Sequence, residues 1–260
     1  MEKNSKLKIS VVIPMYNASK TIERALNSIK EQTFKCNYQI IVVNDGSKDN
    51  SQEIVEKYIA DNPELNIILI NQINGGVSKA RNTGLKQASG NFIALLDSDD
   101  YWLKNKIDRQ MKYFTQGYDF VCALRNNDLI TFPYKIENNI AKISLRKLLF
   151  KVVGQTSTAL FKKEILDDIG LFDENQKYSE DANLWMRISL KYKMIIINEK
   201  LVITDNDYGT SGLSSNMIEM EKGVKKNIKE MRQKKGINLL EYYFFSLFSE
   251  LKYIRRKLVR

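Results

Sequence analysis

Four short apolar runs alternate with helix-patterned segments from Ile9 to Leu96: Ile9-Ser10-Val11-Val12-Ile13-Pro14, Gln39 to Val43, Ile67 to Ile70 and Phe92 to Leu96. Runs with so little polar alternation suit strands of a parallel sheet buried on both faces. Between them, Ala18 to Gln32 sets Ile22, Ala25, Leu26 and Ile29 on one helical face, and Asn50 to Ile59 and Val77 to Gln87 also read as helices. This alternation predicts an α/β fold with a Rossmann-like, mainly parallel sheet flanked by helices. Ligands of such sheets bind beyond the carboxyl ends of the strands. Pro14 to Asn17, Asn44 to Ser47, Asn71 to Gly76 and Asp97 to Asp100 therefore fall along one edge. Beyond Leu103 the pattern loosens to a helix near Ile107 to Phe114, a strand near Phe120 and mixed segments to Tyr208. Residues 101–215 read as a continuation that covers the sheet edge.

Composition removes whole classes of chemistry. The 260 residues contain no histidine, so Ser-His and Cys-His catalysis and His-ligated zinc are excluded. Two cysteines, Cys36 and Cys122, cannot build a disulfide framework or a four-thiolate zinc site. What remains is carboxylates, hydroxyls, amines, backbone amides and hard metal ions. The polar start of the chain lacks a signal-peptide pattern, and no run approaches the roughly 18 apolar residues of a membrane span. A cytoplasmic location is the expectation.

The net charge of +10 is concentrated at the end. Lys222 to Arg260 holds twelve Lys/Arg against three Asp/Glu, which leaves the body near neutral. A nucleic-acid-binding domain would carry that charge over its folded face, so nucleic acid is not the expected partner. Ile237 to Leu251 is rich in Leu, Tyr and Phe and is followed by Lys252, Arg255, Arg256 and Lys257. Residues 216–260 thus predict an amphipathic helical tail suited to an anionic membrane interface. A helix packed on the body is the other reading, and the two can coexist on different faces.

The carboxylates supply the candidate site. Asp97-Ser98-Asp99-Asp100 directly follows Ile93 to Leu96. Alternate residues at a strand end can share a side, so Asp97 and Asp99 can converge on Mg²⁺ or Mn²⁺. Asp45 ends the second strand, either as a turn residue or as acceptor for a ligand N–H such as uracil N3. Gly75-Gly76 allows close backbone approach at a helix start, where Arg81 can hold phosphate oxygens. Glu180-Asp181 stands at another helix start and by itself reads as dipole complementation.

Together, Val11-Val12-Ile13-Pro14-Met15-Tyr16-Asn17, Val42 to Ser47, Asn74 to Asn82, Asp97 to Asp100 and Glu180-Asp181 resemble glycosyltransferase family 2, with its GT-A fold. The resemblance covers residues 9–115 strongly, 150–215 fairly and the tail not at all. It implies a glycosyltransferase domain over 1–215, with a nucleotide-sugar half at 1–103 and an acceptor half at 104–215. It further implies an inverting, metal-dependent enzyme. On that analogy Pro14, Tyr16 and Asn17 line the base pocket, and Asp45 hydrogen-bonds uracil. Gly75, Gly76 and Arg81 approach ribose and diphosphate, Asp97 contacts ribose or sugar and assists the metal, and Asp99 holds it. Asp181 is the catalytic base, with Glu180 as the fallback. Many members place a histidine late in the chain; here Asp205 to Ser215 occupies that region, with Asp207, Tyr208 or water as substitutes.

The implied reaction moves one sugar from a UDP-sugar, best matched by UDP-glucose or UDP-galactose, to a lipid-linked saccharide in bacterial surface-polysaccharide assembly. The enzyme would sit peripherally on the inner face of the cytoplasmic membrane. A soluble or protein acceptor, or a non-catalytic nucleotide-sugar-binding scaffold, stays open on the sequence.

Overall fold

The computed structural model describes residues 7–205 and 216–259. The expected alternation forms as β1 (Lys8–Met15), α1 (Ile22–Lys30), β2 (Asn37–Asn44), α2 (Ser51–Asp61), β3 (Asn66–Asn71), α3 (Val77–Gln87) and β4 (Phe92–Leu95). These four strands are parallel in the order β3-β2-β1-β4. Their continuous apolar runs have a direct cause. Val12, Ile41 and Leu95 enter one buried cluster, while Val11, Ile13 and Val42 enter another on the opposite face. With helices on both sides, the central strands β2, β1 and β4 are buried on both faces, while the edge strand β3 is only partly covered.

The second half extends the same sheet, and here the mainly parallel expectation gives way to a mixed one. The added elements are β5 (Asp100–Trp102), α4 (Lys106–Phe114), β6 (Phe120–Arg125), β7 (Ile140–Ile143), α5 (Leu145–Phe150), β8 (Leu160–Lys162), α6 (Glu164–Ile169), α7 (Glu180–Ile188) and β9 (Met194–Thr204). β8 joins β4 antiparallel, β6 follows antiparallel, and β9 then runs parallel to β6. β5 and β7 both pair antiparallel with the long β9. Three-residue strands such as β5 and β8 carry too few side chains to show a period, which is why these antiparallel additions are silent in the sequence.

α8 (Met217–Gln233) and α9 (Leu239–Val259) complete the described chain. Ile228, Met231, Ile237 and Phe245 join the cluster that holds Trp185 of α7, so the C-terminal segment is built into the body. α9 nevertheless leaves a second face of Leu, Tyr and Phe uncovered. No helix among the described residues is long and apolar enough to cross a membrane.

α8 approaches α7 closely because of Gly223. A Cβ there would stand 2.4 Å from the Tyr178 carbonyl oxygen. That carbonyl lies just before Ser179, the residue that opens α7 in the left-handed region at φ 57. Alanine gains about 1 kcal/mol over glycine in a helix interior, whereas overpacking costs about 1–3 kcal/mol. The obstacle is backbone, so the clash should win. Gly223→Ala is expected to lose about 1–2 kcal/mol in urea unfolding, and a melt as stable as the parent's would refute this packing role.

Candidate active site

The carboxyl ends of the parallel strands open onto one cleft of about 1310 Å³. Pro14, Tyr16 and Asn17 line it after β1, and Tyr16 is half exposed to it. Asn17 takes a left-handed turn at φ 51, its amide donating to Ser47 Oγ at 3.0 Å and its Oδ1 accepting from the Lys48 amide at 2.7 Å. The first two polar clusters are thereby locked together.

Asp45 is buried and has structural partners on both carboxylate oxygens. Oδ1 accepts from the Gly75 amide and Gln72 Nε2, and Oδ2 from the Gly76 amide, each at 2.8 Å. It thus organises the glycine loop. Gly76 sits at φ 87 ahead of α3, where only glycine is unstrained.

Arg81 departs from its expected placement. Its guanidinium is buried and turned toward the protein: Nη1 donates to Glu180 Oε1 at 2.9 Å and Nη2 to Asp97 Oδ1 at 2.8 Å. Both terminal nitrogens are therefore committed to carboxylates, and the side chain joins two halves of the site. Its neighbour Asn82 stitches the fold, exchanging hydrogen bonds with the Phe172 backbone at 2.9 and 3.0 Å.

Asp97, Asp99 and Glu180 line the cleft with Arg81. Asp181, one residue further round α7, is only partly exposed and is not among the lining side chains; its Oδ1 accepts from the Ala182 amide at 2.7 Å. Of the candidate site residues that fall among the described residues, the cleft collects all except Asp181. Asp207 and Tyr208 lie outside the described residues.

The match to the family model for Glycosyl transferase family 2 spans residues 10–170. The chain belongs to this family. Among the family's named members, the Escherichia coli UDP-Glc:alpha-D-GlcNAc-diphosphoundecaprenol beta-1,3-glucosyltransferase WfgD is 31% identical over 80% of this chain and 80% of its own length. The Campylobacter jejuni GalNAc(5)-diNAcBac-PP-undecaprenol beta-1,3-glucosyltransferase is 29% identical over 70% of this chain and 59% of its own. Among solved structures, S. aureus TarS 1-349 in complex with UDP-GlcNAc superposes with a TM-score of 0.68 at 25% identity. That match covers 85% of this chain and 66% of the TarS fragment, so the chain spans slightly less than two thirds of that neighbour.

In this family 2 glycosyltransferase one segment had no signal in the sequence: Gln155-Thr156-Ser157, which clamps the acidic turn after β4. Thr156 Oγ1 donates to Asp97 Oδ2 at 2.8 Å, and Gln155 Nε2 donates to Asp100 Oδ2 at 3.0 Å. Ser157 Oγ donates to Asp100 at 2.5 Å and accepts from the Asp97 amide at 2.9 Å. Trp102 Nε1 donates to the Ser157 carbonyl at 2.8 Å and pins the clamp from below. Hydroxyl and amide side chains are too common in loops to be found without coordinates.

The turn's donor set fits a hard divalent cation. Asp99 is exposed at the cleft, and partial burial together with Asp97's charge raises its pKa, which leaves it in want of a counter-charge. No three carboxylates among the described residues converge into a closed cage. Sites of this open kind complete their shell with substrate phosphates and water.

Electrostatic strain pervades the site. Burial, then Asp97's charge, pushes Asp100 up to about 6. Burial, then Asp181's charge, pushes Glu180 up to about 7 despite Arg81. Burial also raises Asp181. Arg81 itself is held protonated, because the charges of Asp97 and Glu180 outweigh its burial.

Two outcomes follow. Arg81→Met leaves the buried Glu180 and the partly buried Asp97 without their cation, and one-sided removal of a buried pair costs about 3–5 kcal/mol; urea unfolding at pH 7 should show that loss, and a drop below about 1 kcal/mol would refute the bridge. Glu180 binds its proton more tightly folded than unfolded, so its contribution is full below its unfolded value of 4.5 and fades as pH rises through about 7. Stability of the metal-free protein should fall from pH 5 to pH 7.5, with a shallower fall in Glu180→Gln; equal slopes would contradict the shift.

Proposed function

We propose that this family 2 glycosyltransferase transfers one sugar from a UDP-sugar to a lipid-linked saccharide, with inversion, during assembly of a bacterial surface polysaccharide. The observation that carries the reading is the single cleft in which Asp45 with its glycine loop faces Asp97, Asp99 and the start of α7. The relatives support the donor and acceptor classes: WfgD is named for UDP-Glc and a diphosphoundecaprenol acceptor, and TarS is seen with UDP-GlcNAc. UDP-glucose or UDP-galactose is the proposed donor.

In this reading Pro14, Tyr16 and Asn17 border the base, and Asp45 Oδ2, with one structural donor, accepts uracil N3–H. The amides at the start of α3 approach the diphosphate. Asp97 meets ribose or sugar, and Arg81 acts through it by holding its carboxylate in place. Asp99, with Asp97 beside it, would hold Mg²⁺ or Mn²⁺. When bound, such an ion neutralises charge developing on the departing diphosphate.

The chemistry is a single displacement. The acceptor oxygen attacks the anomeric carbon from the face opposite the diphosphate. The new C–O bond forms as the bond to the phosphate oxygen breaks, and that oxygen leaves with the electron pair. The acceptor proton passes to a carboxylate at the start of α7. We assign this base to Asp181, with Glu180 holding Arg81 and thereby Asp97. Inversion at an α-linked donor gives a β-linked product. The apolar, basic C-terminal helix holds the enzyme peripherally at the inner face of the cytoplasmic membrane, where a lipid-linked acceptor is presented.

Turnover with a panel of UDP-sugars and an undecaprenyl-diphosphate saccharide, with and without Mn²⁺, tests the reading. Transfer to a soluble saccharide at equal kcat/KM would remove the lipid-linked acceptor. Asp181→Asn should keep UDP binding and lower kcat by about 100-fold or more; if Glu180→Gln does this instead, the base moves to Glu180. Asp99→Ala should cost a similar factor and abolish the response to Mn²⁺. A retained metal response in that variant would refute the metal assignment.

A further inference from the structure

The membrane reading above places only the C-terminal helix at the lipid, but the uncovered apolar surface does not stop there. On α9, Leu240, Phe244, Leu247, Leu251, Ile254 and Leu258 recur at intervals of three and four, so they share one side of the helix. Their exposures run from 45% to 81%. At 1.5 Å per residue the strip is roughly 27 Å long. The opposite side is spent on packing, with Phe245 and Ser249 buried. A continuous apolar strip of this length on one chain marks an interaction surface.

The strip continues onto the body through Phe150, at the end of α5. Phe150 packs edge-on against Phe244 at 5.9 Å and against Phe132 at 5.7 Å. Phe132 is 77% exposed and its loop companion Leu129 is 73% exposed. The loop is braced beneath, where Lys151 Nζ donates to Thr131 Oγ1 at 2.7 Å. Leu129 directly follows Asp128, whose carboxylate is ion-paired at 3.1 Å with Arg125, and Arg125 lines the cleft. One apolar surface therefore runs from the cleft rim to the last turn of α9.

Charge identifies the occupant. The acids near this surface are already neutralised: Glu137 by Lys135, Glu241 by Arg146 and Glu250 by Lys225. Arg255 and Lys257 are exposed in the last turns of α9, and no ion pair to them occurs among the described residues. The surplus around the strip is positive. A second copy in two-fold contact would set this surplus against itself. An anionic leaflet answers both the apolar strip and its cationic frame.

We propose that α9 and the 129–133 loop form one surface that seats on an anionic bilayer leaflet, with Leu129 and Phe132 inserting beside the mouth of the cleft. This rests on the peripheral-membrane reading and adds a second contact. A helix alone leaves the body free to swing about its axis; two contacts fix the cleft against the plane in which a lipid-linked acceptor lies.

The two native tryptophans, Trp102 and Trp185, are 2% and 0% exposed, so they give a background out of contact with lipid, which the parent protein measures and which is subtracted from each variant. Full-length Phe132→Trp and Leu247→Trp would each be mixed with vesicles of phosphatidylglycerol and acyl-brominated phosphatidylcholine. Both tryptophans should blue-shift and be quenched, with little change on pure phosphatidylcholine. Quenching at 247 without quenching at 132 would overturn the loop contact and leave the helix reading intact. Quenching at neither would overturn both. A blue shift at 132 that grows with protein concentration in the absence of vesicles, with dimers in sedimentation, would assign the surface to a second copy and overturn the bilayer. As a second readout, Leu129→Ser with Phe132→Ser should lower vesicle partitioning about tenfold while the thermal melt stays unchanged; unchanged partitioning would also overturn the proposal.

Discussion

The site is held together by one buried guanidinium. Arg81 leaves the second turn of α3 and meets Asp97, at the end of β4, and Glu180, at the start of α7. Those two carboxylates are far apart in the chain and sit on elements that otherwise need share no contact. An ion in such a place gives up most of its hydration, and the attraction of two partners offsets that loss only with good geometry. Here each terminal nitrogen has its own acceptor within 2.9 Å. The value of the arrangement lies less in stability than in position. Asp97 and Glu180 can occupy only the places that the fork of Arg81 permits, and Asp97 passes the constraint to Thr156 and Gln155.

The same dependence reaches the C-terminal helices. α7 begins at Ser179, a non-glycine residue in left-handed conformation. The Ser179 carbonyl accepts from the Asn183 amide, from Gln176 Nε2 and from Asn227 Nδ2. Asn227 belongs to α8 and is fully buried, and Gly223 lets its helix come close enough to reach. Strain of this kind persists only where the surroundings over-determine it. α8 thus supports the turn that presents Glu180 and Asp181, while α9 leans on α8 with one face and leaves the other open. Cutting the chain before Lys222 would take core side chains and a support of the cleft as well as the basic tail.

This division explains what was legible in the sequence. The first four strands were, because a sheet covered on both sides writes itself as short runs dominated by apolar residues, and their polar ends mark the cleft. β5 and β8 were not, since three residues cannot display a period. Asp45 and Gly76 were legible as a pair of turn signals, but not their joining through the glycine-loop amides. Arg81 was legible but its partners were not: a guanidinium near glycines at a helix start suits phosphate and carboxylate alike, and Asp97 and the distant Glu180 meet it only in the fold. Gln155, Thr156 and Ser157 were invisible because hydroxyls and amides occur in any loop. The exposed strip of α9 was visible as composition, but its continuation through Phe150 to Phe132 depends on a tertiary contact.

The raised carboxyl pKa values carry a final consequence. Asp97, Asp99, Asp100 and Glu180 line the cleft with Arg81, which pairs with Asp97 and Glu180, and Asp181 follows Glu180 on α7. Asp99, Asp100, Glu180 and Asp181 all hold protons more tightly than isolated carboxyls do, first because burial strips their hydration and then because neighbouring carboxylates add negative charge. On the proposed reading, a diphosphate entering such a field would be repelled unless positive charge, such as a divalent cation, entered with it. The cation's arrival would lower the pKa of the nearby carboxyls, since an added positive charge favours their ionised forms. Glu180, pushed up to about 7 in the empty cleft, would then move toward its ionised form. The electrostatics of the empty site would in that way tie the charge state of Glu180, and through Arg81 the setting of Asp97, to an added cation.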